Sequence, residues 1–117
     1  MPENKNDIDL GTWTLHRTAS ENRPDIARAL IEHGAEVSEM DPNSWTPLQW
    51  AAWSNSPDVV RILIDNSADV NVKGKNSWTP LHYAAQENSP DVAHQLIEKG
   101  ANTHGIDLSW MEDDEDA

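Results

Sequence analysis

Apolar residues in this chain fall in short blocks at helical spacing, and the blocks recur. From Thr46 onward, Leu48, Ala51 and Ala52 stand at i, i+3 and i+4, one face of a helix. Thr46 is a good N-cap and Pro47 suits the first helical position, where its missing N–H costs nothing, so a helix is expected over the segment ending at Asn55. Ser56, Pro57 and Asp58 repeat the device, with Ser56 expected as N-cap and Asp58 set against the helix dipole. Val59, Val60, Leu63 and Ile64 then form a second apolar stripe. Both helices are short, and helices of about ten residues are marginal alone in water.

The same pattern is written again 33 residues later. "NSWTPLQWAAWSNSPDVVRILIDN" begins at Asn43 and "NSWTPLHYAAQENSPDVAHQLIEK" begins at Asn76, and 15 of the 24 aligned positions are identical. Upstream, "LHRTASENRPDIARALIEHGAEV" aligns at the same offset through Leu15, Ala19, Asn22, Pro24, Asp25, Leu30, Ile31 and Ala35. A repeated unit that cannot bury its apolar face alone implies a stacked solenoid. With "TPLQWAA", "TPLHYAA", "GAEV", "SADVN" and "GAN" at period 33, residues 8 to 111 resemble the ankyrin repeat family.

The resemblance implies an all-α solenoid: one antiparallel helix pair per repeat, with a β-hairpin loop protruding between repeats. The expected domain is 1–111, with repeats at 8–40, 41–73 and 74–106 and a fourth begun at 107–111; residues 112–117 are expected to be a disordered acidic tail. In copy one Trp13 and Thr14 replace Thr and Pro, so its first helix is expected to start irregularly. In copy three Ala93 and Gln95 replace Val60 and Ile62, expected to make the outward face smaller and more polar, as a solenoid end requires. Trp110 and Met111 are expected to fold over the last helices. Gly34 and Gly100 fall just past the second helices, where a left-handed residue ends the helix; Ser67 holds that position in copy two. The initiating Met, atypical first copy and acidic end argue for a complete natural chain, whereas the strong likeness of copies two and three leaves a designed scaffold open.

Charge has two readings, solubility in an acidic proteome or selection of a partner. Eight Lys and Arg against 21 Asp and Glu give −13, and residues 1–111 still carry −8. Such a chain repels nucleic acid and anionic membranes and attracts basic partners. There is no Cys, which excludes disulfides and thiolate sites and fits the cytoplasm; the polar start does not resemble a signal peptide, and no apolar run is long enough to cross a membrane.

Catalytic chemistry is not evident. His33, His94 and His104 form no metal-type spacing with one another. His16 and His82 hold the "TPLH" position, where the resemblance implies a structural hydrogen-bonding role and where copy two has Gln49. Asp25, Asp58 and Asp91 are accounted for by helix starts. No nucleophile elbow or phosphate-cradling glycine loop is present. No catalytic, cofactor or metal site is therefore assigned, and the chain is expected not to be an enzyme.

What remains is recognition, which the resemblance places on the concave face. The residue before "TP" lies at the loop base, Trp45 and Trp78; the pair after "AA" is Trp53 and Ser54, Gln86 and Glu87, and in copy one Ser20 and Glu21. Loop tips add Asp41, Pro42 and Asn43, then Lys73, Lys75 and Asn76. Trp50 and Tyr83 have two readings, a wedge between successive first helices, which is favoured, or part of the contact surface. Trp53 carries the sharpest signal, because Ser20 and Gln86 show that the fold does not ask for an aromatic there. Trp45, Trp53 and Trp78 are expected to form one patch on a monomer, and such patches mark contact surfaces. The expected function is an adaptor or inhibitor that binds one protein; the alternatives are an acidic antidote to a basic partner such as a nuclease or toxin, or a purely structural scaffold fragment.

Overall fold

The computed structural model describes residues 10–111. Six α-helices form three pairs: α1 (Leu15–Glu21) with α2 (Pro24–Glu32), α3 (Pro47–Trp53) with α4 (Pro57–Asp65), and α5 (Pro80–Gln86) with α6 (Pro90–Glu98). The first helices pack as a layer, α1 on α3 on α5, and the second helices as another, α2 on α4 on α6. The chain is thus an all-α solenoid at the period read from its sequence. The core runs between the layers through Leu15, Ile26, Leu48, Leu63, Leu81 and Leu96, and Ala19, Ala51, Ala52 and Ala84 are fully buried where first helices approach closely.

The helix starts follow from their caps. Thr46 and Gln49 form a reciprocal capping box: the Thr46 hydroxyl accepts from the Gln49 N–H at 3.3 Å, and Gln49 Oε1 accepts from the Thr46 N–H at 2.8 Å. Thr79 and His82 repeat it, the Thr79 N–H donating to His82 Nδ1 at 2.9 Å. In copy one the cap slips by one residue to Thr14, whose hydroxyl accepts from the Arg17 N–H at 3.1 Å. This is the irregular start foreseen there.

Ser56 and Ser89 behave differently from the expected caps, because neither makes a side-chain cap hydrogen bond. Ser56 instead donates its hydroxyl across the repeat boundary to the Ala19 carbonyl at 2.6 Å, while the buried Ser89 hydroxyl has no partner. The carbonyl equivalent to that of Ala19, on Ala52, is already used by the Ser54 and Asn55 N–H groups. The expectation for Ala93 and Gln95 is also corrected. Ala93 is fully buried, and Gln95 Nε2 turns back to donate to the Pro57 carbonyl at 3.0 Å, so this helix face meets repeat two rather than the open end.

Turns repeat as faithfully as helices. Asn22, Asn55 and Asn88 join first to second helices at φ 53°, 52° and 53°, a left-handed conformation that Asn tolerates well. Gly34, Ser67 and Gly100 end the second helices at φ 97°, 74° and 99°, as the sequence comparison predicts. The inter-repeat loops contain no strand among the described residues. They close on themselves through the Asp41 N–H to the Trp45 carbonyl at 2.8 Å and the Gly74 N–H to the Trp78 carbonyl at 2.9 Å. Trp110 and Met111 are partly buried against the core, and the acidic tail lies outside the described residues.

Candidate recognition surface

Three columns of equivalent positions line one side of the first-helix layer and its loops. One runs along the loop bases as Thr12, Trp45 and Trp78; the next along the first helices as Arg17, Trp50 and Tyr83; the third near their C-terminal ends as Ser20, Trp53 and Gln86. Aromatic side chains fill repeats two and three of the first two columns and repeat two of the third. They meet as one continuous ladder. Trp45 lies 4.7 Å from Trp50, 5.8 Å from Trp53 and 4.6 Å from Tyr83 between ring centroids, and Tyr83 lies 5.0 Å from Trp78. Tilted and edge-to-face contacts at these distances are favourable for aromatic quadrupoles.

Trp45 is the hub, and Trp50 and Tyr83 pack against the core as well as against its ring. Both are half-buried, and the ring of Trp45 contacts each of them. Trp50 is fixed further by its indole N–H, which donates to Asp41 Oδ2 at 2.9 Å. Asp41 Oδ1 accepts the Asn43 and Trp45 N–H groups at 2.9 and 3.0 Å. Desolvation alone would raise its pKa, but the Trp50 indole, these two backbone N–H groups and the nearby His16 together hold the carboxyl below its ordinary range. Asp41 therefore organises the loop instead of standing at its tip. That pairing across nine residues left no signature in the sequence.

The "TPLH" position links successive loops to the helix layer. His16 Nε2 donates to the Trp45 carbonyl at 2.8 Å, and Gln49 Nε2 donates to the Trp78 carbonyl at 3.1 Å. The backbones of Trp45 and Trp78 are thus held from the preceding repeat. His82 stacks on Trp78 at 5.2 Å, and burial lowers its pKa, consistent with the acceptor role of Nδ1 toward Thr79.

Trp45, Trp53 and Trp78 are therefore brought together, Trp78 through Tyr83. Trp53 is 42% exposed, whereas Trp45, Trp50, Tyr83 and Trp78 are only partly so. Ser20, Glu21, Gln86 and Glu87 are exposed along the same edge; Ser20 donates to the Arg17 carbonyl at 3.0 Å, and Glu21 pairs with Arg17 at 3.0 Å. Asn43 and Asn76 are exposed on the loops, Asn76 at φ 60°, away from the ring contacts.

A three-copy model of ankyrin repeats matches residues 15–107. The chain belongs to the ankyrin repeat family. Ankyrin repeats are generally protein–protein interaction modules and typically non-catalytic. Among curated proteins, the potassium channel AKT1 of Oryza sativa subsp. indica and that of subsp. japonica are each 43% identical over 37 residues. That match covers 32% of this chain and 4% of either channel, so what is shared is a stretch about one ankyrin repeat long.

On the opposite face an open groove of about 530 Å³ lies between α4 and α6, lined by Asp58, Arg61, Asp91, His94, Glu98 and Lys99 among others. Asp58 pairs with Arg61 at 3.1 Å. Among the described residues, no three His, Asp or Glu side chains are placed to hold a metal ion, and no helix is long and apolar enough to cross a membrane.

Proposed function

We propose that this ankyrin protein is a small non-catalytic adaptor or inhibitor that holds one protein partner on its concave face. The observation that carries the reading is the ring ladder Trp53–Trp45–Tyr83–Trp78, whose exposed member, Trp53, occupies a position where the other repeats have Ser20 and Gln86. An indole the fold does not require, held by rings beneath it and open to solvent, is a rigid apolar anchor of the kind that dominates binding energy. The contact set is Trp45, Trp53 and Trp78 with Asn43, Asn76, Gln86, Glu87, Ser20 and Glu21 around them.

The chain acts as a monomer in the cytoplasm on this reading, where a cysteine-free protein carries no redox liability. Nucleic acid and membrane surfaces are not its partners, because a net charge of −13 repels both. Affinity capture from source lysate, with the native chain beside Trp53→Ala and identification by mass spectrometry, tests the reading. One dominant protein recovered by the native chain and lost with Trp53→Ala is expected. Equal recovery by both would contradict it. The charge also favours a narrower form, an antidote that occludes a basic partner. Its binding would weaken steeply between low and physiological salt; salt-insensitive binding would remove the antidote and leave the adaptor.

A further inference from the structure

Trp53 sits at the end of α3, and its ring neighbours lie on one side. Trp45 and Trp50 are 5.8 and 5.6 Å from it and only 4.7 Å from each other, so both support the indole from the same direction. The remaining ring surface accounts for its exposure. α3 packs between α1 and α5, and the translated repeat makes the three helices parallel, with their C-termini side by side at this edge. None of the three carries a basic residue in its last turn. The partial negative charge of each helix end is therefore not offset locally. Glu21 ends α1 and Glu87 caps α5, one on each flank of Trp53. Glu21 is already paired with Arg17, whereas Glu87 has no ion-pair partner among the described residues. The lysines of the concave side, Lys73 and Lys75, sit on the loop after repeat two, away from this edge.

The chain also shows what such a ring takes. At its N-terminal end Trp13 has the Arg17 guanidinium 3.9 Å from its ring centroid and that of Arg23 at 5.5 Å. No cation of the chain stands over Trp53 among the described residues. We propose that the Trp53 edge receives the guanidinium of an arginine presented by a protein partner, stacked on the indole and flanked by Glu87. An arginine fits better than a lysine because its planar, weakly hydrated cation stacks on an aromatic face while its N–H groups still reach a carboxylate. The proposal rests on the concave-face reading and names the chemistry that reading leaves open.

The test is a random linear peptide library selected against the full chain, followed by calorimetric titration of the selected peptides. Arginine should be enriched. Replacing that arginine with citrulline, which keeps the shape and loses the charge, should weaken binding about tenfold on the native chain. The same replacement should cost little on Trp53→Ala, because the ring it met is gone; Trp53→Phe, which keeps a ring, should retain most of the difference. Glu87→Gln should weaken the arginine peptide and leave the citrulline peptide unchanged. A citrulline penalty equal on native and Trp53→Ala chains overturns the proposal, as does a selection without arginine, an empty one included. Arginine-free peptides that still lose affinity on Trp53→Ala would leave the concave-face reading standing; binders indifferent to Trp53 would remove both.

Discussion

Trp45 and Trp78 hold the same register position one repeat apart, and their surroundings differ. Trp45 touches two tryptophans of its own repeat and the tyrosine of the next, while Trp78 touches Tyr83 and His82. In repeat two a carboxylate, Asp41, fixes the loop and the Trp50 indole. In repeat three Gly74 stands in its place, where a Cβ would come within 2.9 Å of Gln49 Nε2 and of the Ser44 carbonyl oxygen. Gln49 needs that approach to reach the Trp78 carbonyl. A loop held from below by Gln49 has no room for the aspartate, and Tyr83, which has no ring N–H, needs none. Most of the buried scaffold is copied between the two repeats, with Ala93, Gln95 and His82 for Val60, Ile62 and Gln49 as its departures; the aromatic surface differs more.

This asymmetry should appear first in stability. Trp45→Ala removes three ring contacts from a half-buried hub and should cost about 3 kcal/mol, toward the low end for large aromatic truncations. Trp78→Ala should cost clearly less in the same denaturant titration. Equal costs would mean that the ladder contributes little beyond burial.

The paired serines give a second, smaller contrast. Ser56→Ala leaves the buried Ala19 carbonyl without its 2.6 Å donor and should cost about 1–2 kcal/mol. Ser89→Ala removes a hydroxyl that has no partner and should be neutral within about 0.5 kcal/mol, or slightly stabilising. A similar loss for both, read from urea midpoints, would show that Ser89 has a partner after all. Ser67→Gly should gain up to about 1 kcal/mol, because Ser67 holds at φ 74° a turn that Gly34 and Gly100 make without a Cβ penalty.

The smallest effect concerns pH. Burial lowers the His82 pKa from 6.5, so near that pH the unfolded chain binds a proton that the folded chain refuses. This contribution is fully present above the unfolded value and is lost as pH falls through it toward the lowered folded value. His82→Gln, which copies Gln49, should flatten that part of the stability–pH curve; an unchanged slope would place the sensitivity elsewhere.

The period made the solenoid legible, along with the Thr46 cap and the left-handed Ser67; Trp45 does meet Trp53, but Trp78 reaches them only through Tyr83. Other features escaped for physical reasons. A serine before Pro-Asp satisfies the preferences of a cap and of an inter-helix donor alike, so only the packing shows that Ser56 bonds Ala19. The direction of Gln95 depends on how α6 is rotated against α4, which a stripe on one helix does not specify. Asp41 reads as a loop-tip acid because its partner, an indole nine residues on, is brought to it by the loop closure. Asn22, Asn55 and Asn88 did carry a signal, one asparagine at each inter-helix turn, and their left-handed backbone explains it.

The central claim is that Trp53 belongs to recognition and not to the fold. Calorimetric titration of Trp53→Ala with the captured partner, beside a thermal melt of the same variant, tests it most directly. A side chain 42% exposed, at a position the other repeats fill with Ser20 and Gln86, should cost only about 1 kcal/mol for its ring contacts with Trp45 and Trp50, clearly less than Trp45→Ala, and leave a folded, cooperative melt. Affinity should fall roughly 30-fold, the equivalent of about 2 kcal/mol for a hot-spot tryptophan. Unchanged affinity, or a melt that collapses with the substitution, would contradict the account.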